Sequence, residues 1–150
     1  MSTVTLRSRA STHWLLAAAF RPRRRSSRQK LDVKPELSYD LAGSLSLIGV
    51  NRGRKKALKS ILKSFRENYV PDRTMPIAIM TADAEKDGDW LEAAIRKEEG
   101  CADVTIIRGS VGPTIGSHVG PGMVGCAFWG KNRADKASLS DRIARRVRGQ

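Results

Sequence analysis

The order of apolar segments between Pro76 and Ile107 constrains this chain more than any other feature. Pro76-Ile77-Ala78-Ile79-Met80-Thr81 is a compact apolar run that reads as a strand. Asp83 follows as a candidate N-cap, then Trp90, Leu91, Ala94 and Ile95 on a helix over 84–99, then Gly100 as its stop. Asp103-Val104-Thr105-Ile106-Ile107 supplies a second strand. A strand-helix-strand unit of this kind places its strands parallel, with a right-handed crossover.

Ahead of that unit, Pro35–Tyr39 and Ser44–Val50 flank the turn-rich Asp40-Leu41-Ala42-Gly43, and Leu45 and Leu47 alternate with serines. Period-two alternation on both sides of a turn predicts a hairpin. Ala57, Leu58, Ile61, Leu62 and Phe65 then recur at helical spacing, with Lys55, Lys56, Lys59, Lys63 and Arg66 on the other face, so 53–68 reads as an amphipathic helix that Pro71-Asp72 ends. A hairpin in front of a parallel unit implies a mixed sheet and the α/β (α+β) class.

The texture changes at Gly109. Seven of the thirteen glycines lie between residues 109 and 130, so backbone there must come close to something. Met123–Trp129 reads as a last buried strand, and Ser138–Arg148 as a short basic helix with Leu139, Ile143 and Val147 on one side. There is no internal repeat.

At 150 residues and 40% hydrophobic content the chain is long enough for one domain with a real core. Its net charge of +13 sits at the ends: residues 1–31 hold eight Lys/Arg and no acid, residues 131–150 hold seven against two, and the middle is neutral. Any polyanion affinity is therefore expected of the tails, non-specifically, and the folded part is expected to serve another purpose. The acid-free, Arg- and Ser-rich leader could be a mitochondrial transit peptide. It fits a secretory signal poorly, because Arg21-Pro22-Arg23-Arg24-Arg25 follows the apolar stretch Trp14–Phe20 in place of a small-residue cleavage site. The plainest expectation is an unstructured basic extension over 1–31. No apolar run approaches the ~20 residues that a membrane-spanning helix needs.

Cys101 and Cys126 stand 25 positions apart without a C-x-x-C pair, and His13 and His118 are the only histidines, so no zinc site can be assembled. Both cysteines sit among apolar residues, where a reduced, buried thiol is the usual state, and this implies a reducing compartment.

Gly120-Pro121-Gly122-Met123-Val124-Gly125 satisfies G-x-G-x-x-G, yet the bulky Cys126–Trp129 that follows cannot open the helix a dinucleotide fold requires, and no P-loop exists. Ser117 and His118 are neighbours, and neighbouring side chains of an extended segment point to opposite faces, so they do not form a nucleophile-base pair. The acids scatter along helix 84–99 without forming a pair. No catalytic residue, cofactor or metal is assigned. What remains is His118 inside Gly112–Gly122, read as a Gly/Pro-rich turn between two apolar strands whose amides and imidazole can meet an anion. Arg52-Gly53-Arg54-Lys55-Lys56 at a strand-to-helix junction is a second place where donors converge on negative charge.

Three segments in order carry a family likeness. Lys34-Pro35 opening a hairpin, Arg52-Gly53-Arg54-Lys55-Lys56-Ala57-Leu58 starting a helix, and Gly112-Pro113-x-Ile115-Gly116-Ser117-His118-Val119-Gly120-Pro121-Gly122 before a final strand resemble the C-terminal domain of the DegV family of fatty-acid-binding proteins. The likeness spans roughly 32–130. It implies a bacterial cytoplasmic lipid-binding protein, not an enzyme, that holds a long-chain fatty acid between two domains and presents it to a fatty acid kinase partner. Carried over by position, Gly116, Ser117 and His118 would lie near the carboxylate or acyl-phosphate head, and Arg52 and Arg54 would flank it. Residues 1–31 resemble nothing in the family's N-terminal domain, so the expectation is a truncated chain with impaired lipid binding. The alternative is a basic-tailed nucleic-acid-binding protein. It lacks a basic face interleaved with aromatics, which make up only 5% of the chain.

Overall fold

The computed structural model describes the backbone of residues 10–17, and residues 32–39 and 44–131 in full. Six strands form one mixed sheet: β1 (Ala10–Ala17), β2 (Val33–Tyr39), β3 (Leu45–Arg52), β4 (Ile77–Ala82), β5 (Ile106–Ser110) and β6 (Met123–Lys131), in the order β3-β2-β1-β6-β4-β5. Only β4 and β5 run parallel, as the strand-helix-strand unit requires. The other neighbours are antiparallel. The expected hairpin is β2–β3, with a register shift beside Glu36/Leu37. The sheet is thus mixed and the fold of the α/β (α+β) class, as the sequence implies.

Helices α1 (Arg54–Asn68) and α2 (Glu85–Ile95) both cover one face of this sheet. The helical spacing noted above delivers Ala57, Leu58, Ile61, Leu62 and Phe65 to the core, where they meet Ile77 and Ile79 of β4 and Val124, Cys126 and Phe128 of β6. Each fully buried large aliphatic or aromatic side chain contributes about 1.5–3 kcal/mol. Phe65 stacks on Tyr69 at 4.5 Å and meets Phe128 edge-on at 4.9 Å. Strand alternation sends Met80 and Ala82 of β4 and Met123 of β6 to the opposite face, which neither α1 nor α2 covers.

Several expectations are corrected. The basic leader is not structureless throughout: Ala10–Ala17 is β1, paired along its whole length with β6 and over Leu15–Ala17 with β2, in the middle of the sheet. β6 is buried along nearly its whole length, and without β1 it would present an unpaired edge. Trp14–Ala17, the described part of the apolar stretch Trp14–Phe20, belongs to that partner. Residues 1–9 and 18–31 lie outside the described residues, as do the hairpin turn 40–43 and the expected helix over Ser138–Arg148.

Asp83 is not the cap of α2. Ala84 takes that position without a side-chain hydrogen bond, and Asp83 instead adopts φ 51° at the end of β4. The second strand lies three residues further on than 103–107, because Val104 is drawn into the core ahead of it. Finally, the glycine-rich segment is not a plain turn: Pro113–Val119 forms a short helix, α3, with proline in its first turn and Gly120 at φ 73° closing it.

Candidate functional site

The carboxyl end of β4 gathers the pieces of the site. The Val111 amide donates to the Thr81 carbonyl at 2.8 Å, and the Gly122 amide donates to the Ala82 carbonyl, so the segment containing α3 is sewn at both ends onto the same strand terminus. Ligand sites of open α/β sheets form at the carboxyl ends of parallel strands. Gly120 and Gly122, at φ 73° and 85°, make the reversal between α3 and β6 that side-chain-bearing residues would resist.

Arg54 ties this corner to the helices. Its Nε donates to Asp87 Oδ2 at 2.7 Å, its Nη2 lies 2.6 Å from the same oxygen, and its Nη1 donates to the Gly122 carbonyl. The first residue of α1, the first turn of α2 and the turn after α3 are thus held by one guanidinium, whose planar fork suits such a junction. The two basic and glycine-rich segments singled out in sequence are brought together, through a bond that spans 68 positions.

α3 lies over the face of the sheet that α1 and α2 leave open. Val119 is buried beside Met123, with Leu37, Ala82 and Val111 around them. His118 and Ser117 are exposed on this helix and Gly116 is half-exposed with open space before it. Ser117 Oγ donates to the Thr114 carbonyl within α3 at 2.8 Å. On a helix, successive side chains diverge by about 100°, so Ser117 and His118 still do not face each other. The face beyond α3 continues apolar and uncovered among the described residues, with Val33 45%, Leu45 42%, Val50 51% and Ile107 51% exposed. Arg52, at the end of β3, is exposed and makes no ion pair among the described residues.

Electrostatics reinforce the corner. Lys55, Lys56 and Lys59 are exposed on α1, whereas Arg54, Lys63 and Arg66 are matched by Asp87, Glu67 and Glu98. Aligned peptide dipoles add positive potential at the start of α1. Asp87 escaped sequence reasoning. Asp87 is one of several acids on α2, and nothing in its spacing marks it as the partner of a residue 33 positions earlier.

The two thiols lie away from this corner and are both buried and free. Burial pushes the Cys126 thiol up to about 12, and burial also raises Cys101, helped by the charge of Glu98 and opposed by a hydrogen bond with Tyr69. Neither is poised as a thiolate nucleophile. An apolar sheet face that α1 and α2 leave open, ending in a polar corner beside the exposed Lys55 and Lys56, suits a ligand with a long apolar body and one anionic end.

Comparison with known proteins gives the family and supports the fold. The model of the DegV family of uncharacterised proteins matches residues 28–131. A DegV domain-containing protein of Caldanaerobacter subterraneus subsp. tengcongensis is 32% identical over 99 residues, covering 65% of this chain and 34% of the relative. Among solved structures, a DegV family protein from Thermus thermophilus described as binding fatty acid matches at TM-score 0.62 and 24% identity, over 80% of this chain and 45% of that one. The Streptococcus pneumoniae Fatty Acid Kinase (Fak) B3 protein, loaded with linoleic acid, matches at TM-score 0.62 and 17% identity, over 81% and 45%. The chain therefore spans about a third of the curated relative and under half of the solved structures. With the family match covering more than half of its sequence, the chain belongs to the DegV family.

Proposed function

We propose that this chain binds the acyl chain and head group of a long-chain fatty acid as part of a DegV-type lipid-binding protein, and that it is not itself an enzyme. One observation carries the reading: α3, with His118 exposed, packs across one end of an apolar sheet face that α1 and α2 leave open. An acyl chain lying along that face gains about 0.8 kcal/mol for each methylene it buries, while its carboxylate meets donors at the polar corner. The fatty acids named for the Thermus and Streptococcus proteins are ligands of that description.

In this reading His118 contacts the carboxylate or acyl-phosphate head, with Gly116 and Ser117 beside it. Arg52, exposed at the end of β3, is the cation proposed to flank the head, and Arg54, engaged with Asp87 and Gly122, shapes the corner. The bound lipid is presented to a kinase partner, which performs the chemistry, in the bacterial cytoplasm. Two buried, unpaired thiols accord with a reducing compartment. Among the described residues no helix is long and apolar enough to cross a membrane. No observation favours the nucleic-acid alternative.

Lipid extraction from the purified chain, followed by mass spectrometry, and isotope-edited NMR of added [1-13C]oleate test the reading. The expected result is an oleate carboxyl resonance that shifts on binding and perturbs the His118 imidazole, with both effects lost in His118→Ala while the thermal midpoint stays within a few degrees. A large fall in thermal midpoint with unchanged oleate response would assign His118 to the fold instead.

A further inference from the structure

We propose that Asp87 is a positioning residue for the candidate head-group corner: by holding the Arg54 guanidinium, it fixes the Gly122 carbonyl and with it the end of α3 that carries His118. The proposal deepens the fatty-acid reading and rests on it for the identity of the ligand. Its mechanical part rests on geometry alone.

Arg54 Nε and Nη2 both reach Asp87 Oδ2, at 2.7 and 2.6 Å, which consumes one edge of the guanidinium. A planar fork held on one edge has its remaining nitrogen pointed in a fixed direction, and here that nitrogen, Nη1, meets the Gly122 carbonyl. Gly122 follows Gly120 and Pro121 in a reversal where both glycines have positive φ. Glycines offer many backbone alternatives, so this turn needs outside contacts to hold one of them. It receives two, the Arg54 donor to its carbonyl and the Ala82 carbonyl accepting from its amide. Three residues separate Gly122 from His118, and Gly120 closes α3 by donating to Gly116. The pose of His118 over the apolar face is therefore set from behind by a carboxylate on a different helix.

Asp87 is also placed to do this without repelling the ligand. Its charge is neutralised at contact by Arg54, and the pair is only partly exposed, at 25% for the arginine and 34% for the aspartate, so screening by solvent is incomplete. Removing the aspartate leaves Arg54 free to swing toward solvent or onto an incoming anion. The Gly122 carbonyl then loses its donor.

The test compares the full chain with Asp87→Asn and Asp87→Glu by 1H–15N and imidazole NMR, with [1-13C]oleate as the probe. Gly100, at the far end of α2 against Pro71, serves as the control. Asp87→Asn removes the charge and is expected to displace the Gly120, Gly122 and His118 resonances, to leave Gly100 in place, and to weaken oleate binding roughly tenfold. Asp87→Glu restores the charge and is expected to recover most of both effects. Unmoved Gly122 and His118 resonances in Asp87→Asn overturn the proposal. If Asp87→Asn unfolds, Asp87→Glu decides. Its longer side chain re-aims the Arg54 guanidinium, so small residual shifts confined to residues 118–123 support the positioning role, and shifts spread evenly over α2, or none at all, overturn it. Should oleate never perturb His118 in the unsubstituted chain, the head-group reading falls while a Gly122 displacement still carries the positioning role.

Discussion

Met80 of β4 lies flat over Gly109 of β5, with its Cε and Sδ each 3.0 Å from the point at which a side chain on residue 109 would begin. Both residues belong to the sheet face left open by α1 and α2, and their strands are paired in parallel register at this very position. A flexible thioether filling the space above a glycine is a soft element of a surface proposed to accept an acyl chain. Gly109→Ala pushes Met80 outward. Because the displaced atoms are the far end of a mobile side chain, the cost to stability should stay within about 1 kcal/mol. The Met80 methyl resonance should move and oleate affinity should change. An unmoved methyl signal would refute this placement of Met80.

Gly88 presents the opposite case. A Cβ there would stand 2.5 Å from Arg108 Nη2 and 2.8 Å from the Thr81 methyl, and Thr81 is buried in the sheet. Helix propensity alone would favour alanine over glycine by about 1 kcal/mol. The collision with a strand that cannot retreat should dominate, so Gly88→Ala is expected to destabilise by roughly 1–3 kcal/mol in urea unfolding. A stabilised variant would show that α2 slides freely on β4.

Asp83 carries a non-glycine side chain at φ 51°, in the left-handed region, between a strand and a helix that both contribute to the core. Aspartate tolerates this conformation better than most residues, and glycine better still. Asp83→Gly should leave stability unchanged or raise it slightly. Asp83→Val should lower it by about 1–2 kcal/mol, read from chemical denaturation. Equal stability of the two variants would mean that the turn relaxes out of the left-handed region.

These positions show what was legible in the sequence and what was not. Local periodicity carried most elements: Ala57, Leu58, Ile61, Leu62 and Phe65 form the buried stripe of α1, and Ile77 and Ile79 the buried face of β4. Position in the sheet is set by long-range pairing, which no local pattern encodes. The stretch around Trp14 therefore resembled a leader when its backbone is a central strand between β2 and β6. The same holds at the site. Clustered glycines marked where the backbone reverses, yet a proline-initiated helix forms inside the cluster, because Gly112 caps and Gly116 is tolerated in a short helix of about two turns whose Val119 anchors it to Met123. The Arg54–Asp87 contact joins residues 33 positions apart and had no signature at all.

Alkaline stability follows from the buried thiols. Cys126 has its pKa raised by burial from 9.0 to about 12, so its neutral form is favoured in the fold. A group whose folded pKa exceeds its unfolded value contributes stability that is complete below the unfolded value and is lost as pH rises toward the folded one. Between pH 9 and about 12 this one thiol should cost up to about 1.4 kcal/mol for each pH unit. Cys101 and Tyr69, both raised chiefly by burial, act in the same direction. Denaturation midpoints measured from pH 7.5 to 10.5 should fall steeply above pH 9, and Cys126→Ala should flatten that fall. A profile identical in the two proteins would assign the alkaline loss elsewhere.

The uncovered face makes the last prediction. Val33, Leu45, Val50 and Ile107 are each at least 42% exposed on strands whose register puts them on the side opposite α1 and α2, the side that also carries Met123. Exposed apolar surface of this kind drives association when nothing else occupies it. An acyl chain resting on one wall buries only part of its surface, forfeiting around half of the ~0.8 kcal/mol per methylene, and each 1.4 kcal/mol lost weakens binding tenfold. The isolated chain should therefore bind oleate weakly and self-associate with rising concentration in sedimentation-velocity runs. Val50→Lys combined with Ile107→Lys should shift the distribution toward monomer, since both side chains lie at the rim where a charge can reach water. A monodisperse monomer that carries a stoichiometric fatty acid through purification would show that the face is already closed by residues outside those described.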